Sequence, residues 1–129
     1  MVDSDKVLWC LKNGELDELK SQLSKPKVCV DDVSLTNNKM PAIICAADYG
    51  QTDIVNYLIE KGANVNIVDK KTSITPLLAA IWEGHTSTVE LLLKKGAKNK
   101  GMKSPGGKSY IDEADNKKIK ELLDKYSNN

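Results

Sequence analysis

Two pairs of neighbouring residues set an aromatic ring beside a carboxylate, Asp48-Tyr49 and Trp82-Glu83. Each pair runs directly into a glycine, Gly50 and Gly84, and the two glycines are 34 residues apart. A ring beside a charge suits non-covalent recognition, because tyrosine and tryptophan bring large apolar area and recur as the energetic anchors of protein interfaces. The matched spacing makes the four side chains one amphipathic ridge; the alternative is that Tyr49 or Trp82 packs between structural units.

The other residue types with chemistry do not assemble into a catalytic set. The one histidine, His85, is too little for a common zinc site, and Cys10, Cys29 and Cys45 lack the C-x-x-C spacing of a metal or redox motif. The three cysteines read instead as small buried apolar residues of a reducing compartment. His85, directly after Gly84, reads as satisfying backbone groups at a helix start. The stretch SPGGKS (104–109) is similar to the tail of a phosphate-binding loop, yet Met102 stands where that motif needs its first glycine. It follows no strand and reads as a turn before the last helices. No catalytic residue, cofactor or metal ligand is nominated, and an enzyme is not expected.

Composition narrows the partner class. The 129 residues suit one domain, and such a chain buries roughly two thirds of its unfolded surface. All nineteen basic residues are lysine. Without arginine there is no planar fork for base edges or phosphate, so sequence-specific nucleic-acid binding is not expected. Residues 1–93 carry nine lysines against thirteen acids, and residues 94–129 carry ten against five. The run KKGAKNKGMKSPGGK (94–108) has six lysines, no acid and no interleaved aromatic ring, and reads as a solvated loop. The acidic start MVDSDK is unlike a secretory leader and no run approaches a membrane span. The expectation is a cytoplasmic monomer, with the nucleus as a second compartment.

The elements that place the ridge follow from the repeat. The stretches GQTDIVNYLIEKGA (50–63) and GHTSTVELLLKKGA (84–97) share the 34-residue period, which marks stacked supersecondary units. Ile54, Val55, Leu58 and Ile59 in one copy, and Val89, Leu91, Leu92 and Leu93 in the other, form one apolar stripe of a helix. Gly62 and Gly96 fall where such a helix ends on a left-handed residue. Upstream, TPLLAAIWEG (75–84) offers Thr75 as N-cap and Pro76 in the first turn. Ala79 and Ala80, like Ala46 and Ala47 in PAIICAADYG (41–50), are small enough for a neighbouring helix to approach closely. Partial units flank these: VLWCLKNGELDELKSQLSK (7–25), with Leu16, Leu19 and Leu23 inward, and SYIDEADNKKIKELLDKY (109–126), with Ile119, Leu122 and Leu123 inward. Their charged outer faces suit the two ends of a stack.

Thr75, Pro76, Leu77 and Ala80, followed by G-H-x-x-x-V-x-L-L-L-x-x-G-A, resemble the ankyrin-repeat signature. The resemblance implies an all-α ankyrin-repeat solenoid of about four repeats, two full and two capping, over 3–36, 40–69, 74–103 and 108–126, with β-turn fingers between repeats. The order of pieces, from LWCLKNGELDELK (8–20) through ITPLLAAIWEGHTSTVELLLKKGA (74–97) to PGGKSYIDEADNKKIKELL (105–123), further resembles the myotrophin family of small ankyrin proteins. The segment 25–41 departs from that family, and the finger 69–75 and loop 98–108 each run one residue longer.

That resemblance implies a regulator of actin assembly that sequesters the heterodimeric actin capping protein and keeps it off filament barbed ends. The acidic balance of residues 1–93 is compatible with a basic docking surface on such a partner. A different protein-binding role, as an adaptor or as a regulator of a transcription factor, is the other reading, because a fold does not fix a function. Ankyrin stacks bind through finger tips and the concave face of their first helices, which implies partner contacts by Asp48, Tyr49, Trp82 and Glu83. Trp9 joins them through the resemblance, with burial in the first cap as its alternative. Asn37, Asn38, Lys70 and Lys71 are the expected finger tips, each with plain solvent exposure as its alternative.

Overall fold

Every turn glycine named above sits in the left-handed region, and the helices are spaced around them. The computed structural model describes residues 2–24 and 28–129; Met1 and residues 25–27, which belong to the divergent 25–41 segment, lie outside the described residues. Eight helices run in order among the described residues: α1 (Ser4–Asn13), α2 (Leu16–Leu23), α3 (Ala42–Asp48), α4 (Thr52–Glu60), α5 (Pro76–Trp82), α6 (Thr86–Lys94), α7 (Tyr110–Glu113) and α8 (Lys117–Lys125). They stack as four successive pairs. The first helix of each pair packs on the first helix of the next, α1 on α3, α3 on α5 and α5 on α7, while α4 packs on α6 and α6 on α8. This is an all-α repeat solenoid.

Local chemistry explains the helix limits. Thr75 is extended and its hydroxyl accepts the Leu78 N–H, with Pro76 opening α5. Asp3, Ser109 and Asn116 cap α1, α7 and α8 in the same manner. α4 and α6 end before Gly62 and Gly96, whose φ values of 97° and 91° are strained for any L side chain. The GGKS stretch is a turn, closed by hydrogen bonds between Ser104 and Lys108 and from the Gly107 N–H to Ser104, and it delivers the chain to α7.

The core is one continuous apolar cluster along the stack. α3 and α5 are buried on nearly every residue, Ala46, Ala47, Ala79 and Ala80 included, which is what allows first helices to lie side by side. The stripes of α2, α4, α6 and α8 face inward, with Leu16, Ile59 and Leu91 half-buried at the edges of the first three. One buried polar contact ties the last pair to the stack: the hydroxyls of Thr75 and Tyr110 meet at 2.8 Å.

Two cysteines behave as expected and one does not. Cys10 and Cys45 are buried, and burial pushes the Cys45 thiol up to about 11. Cys29 is exposed, because it opens the turn that the Asp32 N–H closes on its carbonyl, ahead of the short 3-10 turn Val33–Leu35, and no helix covers it. The six lysines of the 94–108 run are all exposed. The loop is nonetheless anchored, since Asn99 donates through Nδ2 to the Leu123 carbonyl and through its backbone N–H to the Asn129 carbonyl.

Candidate protein-binding surface

The ridge is built by the C-terminal ends of α3 and α5. Asp48 and Tyr49 stand at the end of α3, Trp82 and Glu83 at the end of α5, each pair immediately before its turn glycine. Their repeat-to-repeat alignment is fixed by main-chain chemistry. The residue after each turn glycine, Gln51 or His85, spends its side chain on the preceding pair rather than on capping its own helix. Gln51 Nε2 donates to the Lys12 carbonyl at 3.0 Å, and His85 Nε2 donates to the Asp48 carbonyl at 2.9 Å. Both acceptors lie two residues before a turn glycine, so one contact recurs along the stack. His85 therefore serves the end of α3, the first helix of the preceding pair, and not the start of its own helix, which corrects the expectation from sequence. The reason is geometric: a ring beginning directly after the glycine points back across the groove between pairs.

The aromatic side chains remain open. Trp9 is 47% exposed, Tyr49 43% and Trp82 46%. Each ring is thus open to solvent over nearly half of its surface and covered over the rest. Trp9 lies one helical turn before Asn13, and Asn13 holds in α1 the position that Tyr49 and Glu83 hold in the later pairs. Each ring has a charged neighbour. Lys6 Nζ lies 5.1 Å from the Trp9 ring centre and Lys12 Nζ 5.9 Å from that of Tyr49, within cation–π reach. The Trp82 indole N–H donates to the carboxylate of Glu113 in α7. Glu113 was missed from sequence; its only signal was a carboxylate opening the last helix pair, where charge at a helix start is ordinary.

The two ridge carboxylates repel each other. Partial burial, then the neighbouring Glu83 charge, raises the Asp48 pKa above its ordinary value, and His85 only partly offsets this. A cation placed beside the two carboxylates would offset their mutual repulsion.

The structure separates Lys70 and Lys71 from this ridge. They are exposed on the turn of residues 69–73 ahead of α5, whereas Trp82 lies at the far end of that helix, about 10 Å from its start. Asn37 and Asn38 are exposed but bonded, Asn37 to the Asp5 carboxylate and Asn38 to the Cys45 sulfur. They hold the first finger in place and are not simple solvated tips. A second recurring contact fixes the finger bases: Asp31 accepts the Asn64 N–H at 2.9 Å and Asn66 accepts the Lys98 N–H at 2.7 Å.

A family profile described as ankyrin repeats (3 copies) matches residues 7–103. The chain belongs to the ankyrin-repeat family. It is 41% identical over 98 residues to the transient receptor potential cation channel subfamily A member 1 of Drosophila melanogaster, covering 73% of this chain and 8% of the channel. It is 32% identical over 81 residues to the putative palmitoyltransferase ZDHHC13 of Danio rerio, covering 63% of this chain and 12% of that protein. A third relative, the palmitoyltransferase Hip14 of Drosophila melanogaster, is 42% identical over 52 residues, 40% of this chain and 8% of its own length. The chain thus spans about a tenth of the length of the relatives it matches. What is shared is a stack of ankyrin repeats, a fold that binds other proteins. No helix among the described residues is long and apolar enough to cross a membrane.

Proposed function

We propose that this ankyrin stack regulates actin assembly by binding the heterodimeric actin capping protein and holding it away from filament barbed ends. The observation that carries the reading is the open ridge on three successive first helices: Trp9, Tyr49 and Trp82 exposed, with Asp48 and Glu83 between them short of countercharge. A cap surface that docks on acidic actin is expected to be basic, and such a surface meets both needs of the ridge. The order of flanking pieces, similar to that of the myotrophin family, supports the same partner. The proposed site is cytoplasmic and the binder acts as a monomer.

The test is seeded actin elongation from free filament ends with capping protein at an inhibitory dose. Titrating in the protein restores elongation and has no effect when capping protein is omitted. Asp48→Lys with Glu83→Lys abolishes the rescue while the circular-dichroism spectrum remains that of the folded stack, because Glu83 is exposed and Asp48 only half-buried. No rescue at well above micromolar protein refutes the partner. Rescue that survives the double charge reversal refutes the ridge.

A further inference from the structure

The turn of residues 69–73 reads Asp-Lys-Lys-Thr-Ser and is closed by its own backbone. The Asp69 N–H donates to the Ile74 carbonyl at 2.9 Å, and the Ser73 N–H donates to the Asp69 carbonyl at 2.8 Å. The Asp69 carboxylate is buried and accepts the Thr72 N–H at 3.1 Å and the Thr72 hydroxyl at 2.6 Å. The two adjacent hydroxyls are thus placed differently. Thr72 commits its own to holding the turn, and Ser73 stands exposed.

Ser73 also holds an unusual backbone. Its φ is 62°, and among the described residues Lys39 is the other non-glycine residue with a positive φ. Glycine adopts this conformation without strain, so a serine there keeps a hydroxyl in place against a steric cost. Strain of this kind gathers at functional turns. Two exposed lysines lie just upstream, Lys70 and Lys71, three and two residues before Ser73, and neither forms an ion pair among the described residues. Of the serines and threonines in the chain, Ser73 is the one with lysine at both of those positions. Kinases that select basic substrates read such a charge pattern with carboxylates in their own cleft.

We infer that Ser73 is a phosphorylation site for a basic-directed serine/threonine kinase, with Lys70 and Lys71 as the recognition pair and the contact between Thr72 and Asp69 as the catch that holds the site closed. In the transfer the Ser73 hydroxyl oxygen bonds to the γ-phosphorus of Mg-ATP. The bond from that phosphorus to the β,γ-bridging oxygen breaks, ADP leaves with the electron pair, and the hydroxyl proton passes to the carboxylate base of the kinase. The product places a charge of about −1.5 to −2 beside two ammonium groups, which gives the lysine pair a countercharge of matching size. The inference is independent of the capping-protein proposal, because Ser73 precedes α5 whereas Trp82 and Glu83 end it.

The probe is the catalytic subunit of cyclic-AMP-dependent protein kinase with Mg-ATP, acting on the full native chain and on a blocked peptide of residues 69–76, with the phosphate located by tandem mass spectrometry. The native chain takes one phosphate, at Ser73. Ser73→Gly, which suits the backbone there, takes none and keeps the circular-dichroism spectrum of the folded stack. Lys70→Ala with Lys71→Ala lowers kcat/KM by at least about tenfold in chain and peptide alike. Thr72→Ala speeds the reaction of the folded chain about fivefold, the factor that one lost hydrogen bond adds to local opening, and leaves that of the peptide unchanged. A phosphorylated peptide beside an unmodified native chain would overturn the inference. So would phosphate on Thr72, Ser104, Ser109 or Ser127 at a comparable rate, or incorporation undiminished by the lysine changes. A folded Thr72→Ala chain that reacts no faster would overturn the catch.

Discussion

Replacing Gly50 with alanine separates two costs that coincide at that residue. The backbone there has φ of 69°, a conformation that costs an L side chain about 1 kcal/mol. A Cβ at Gly50 also falls 2.6 Å from His85 Nδ1 and 2.8 Å from its neighbouring ring carbons, so the imidazole must move. Moving it breaks the bond to the Asp48 carbonyl, a loss of about 1 kcal/mol with a further penalty for the abandoned carbonyl. Gly84 is the internal control, since its φ is 72° and a Cβ there meets nothing within 4 Å. Gly84→Ala is expected to cost about 1–2 kcal/mol and Gly50→Ala about 2–4 kcal/mol. In a His85→Ala background the collision is gone, so Gly50→Ala falls back to the cost of Gly84→Ala. The coupling energy of the Gly50/His85 cycle is then about 1–2 kcal/mol, readable from urea unfolding followed by circular dichroism. Equal costs for the two glycines, or a cycle that closes to zero, would refute the account of His85 as the clasp between pairs.

The remaining predictions use the same stack. Native protein reacts rapidly with Ellman's reagent at one thiol, Cys29, and Cys10 and Cys45 follow only on unfolding; two fast thiols would contradict their burial. Because the Cys45 thiol sits at about 11 when folded and near 9.0 otherwise, its contribution is complete below pH 9 and is lost as pH rises toward 11, by about 2–3 kcal/mol. Cys45→Ala therefore unfolds with a shallower alkaline slope in melts from pH 8 to 11. Thr75→Val strips the α5 cap and strands the Tyr110 hydroxyl, costing about 2–4 kcal/mol in urea titration, whereas Tyr110→Phe leaves Thr75 bonded to Leu78 and costs about 1 kcal/mol. A basic partner on the ridge lowers the raised Asp48 pKa, so binding weakens as pH falls into the carboxylate range, and calorimetry shows proton release on binding there that Asp48→Asn removes.

The helix pairs were legible in the sequence because they are periodic. A 34-residue spacing of glycines, a repeated apolar stripe, the Thr75-Pro76 start and the alanine pairs each state one geometric requirement, and the structure meets them in the same places. The placement of Tyr49 and Trp82 at the ends of their helices was legible for the same reason, being read from their distance to the turn glycines, whereas Trp9 entered through the family resemblance. What escaped was every contact made across the period. Glu113 meets Trp82 from 31 residues away and His85 reaches Asp48 over 37, and no local pattern of either residue type announces the partner. Cys29 failed for a related reason. Cysteine is buried when a helix or sheet covers it, and the turn Cys29–Asp32 lies outside the periodic elements on which the burial expectation rested.

The same residues hold the stack and display the ridge, and they do so with different atoms. Lys12 and Asp48 give their carbonyls to Gln51 and His85, which fixes the offset of one pair on the next whatever side chains those two positions carry. Their side chains are left to the surface, Lys12 against the Tyr49 ring and Asp48 beside Glu83. Register and recognition are thus decoupled at the level of single residues. A change of side chain at position 12 or 48 alters the surface without releasing the clasp, whereas a change at Gln51 alters the clasp alone and a change at His85 alters both the clasp and the field at Asp48. The finger bases follow the same rule, because Asn64 and Lys98 give backbone N–H groups to Asp31 and Asn66 and leave their side chains exposed. A stack built in this way can change its surface by side-chain substitution alone, which is why the family shown by the fold implies protein binding and leaves the choice of partner to the exposed side chains.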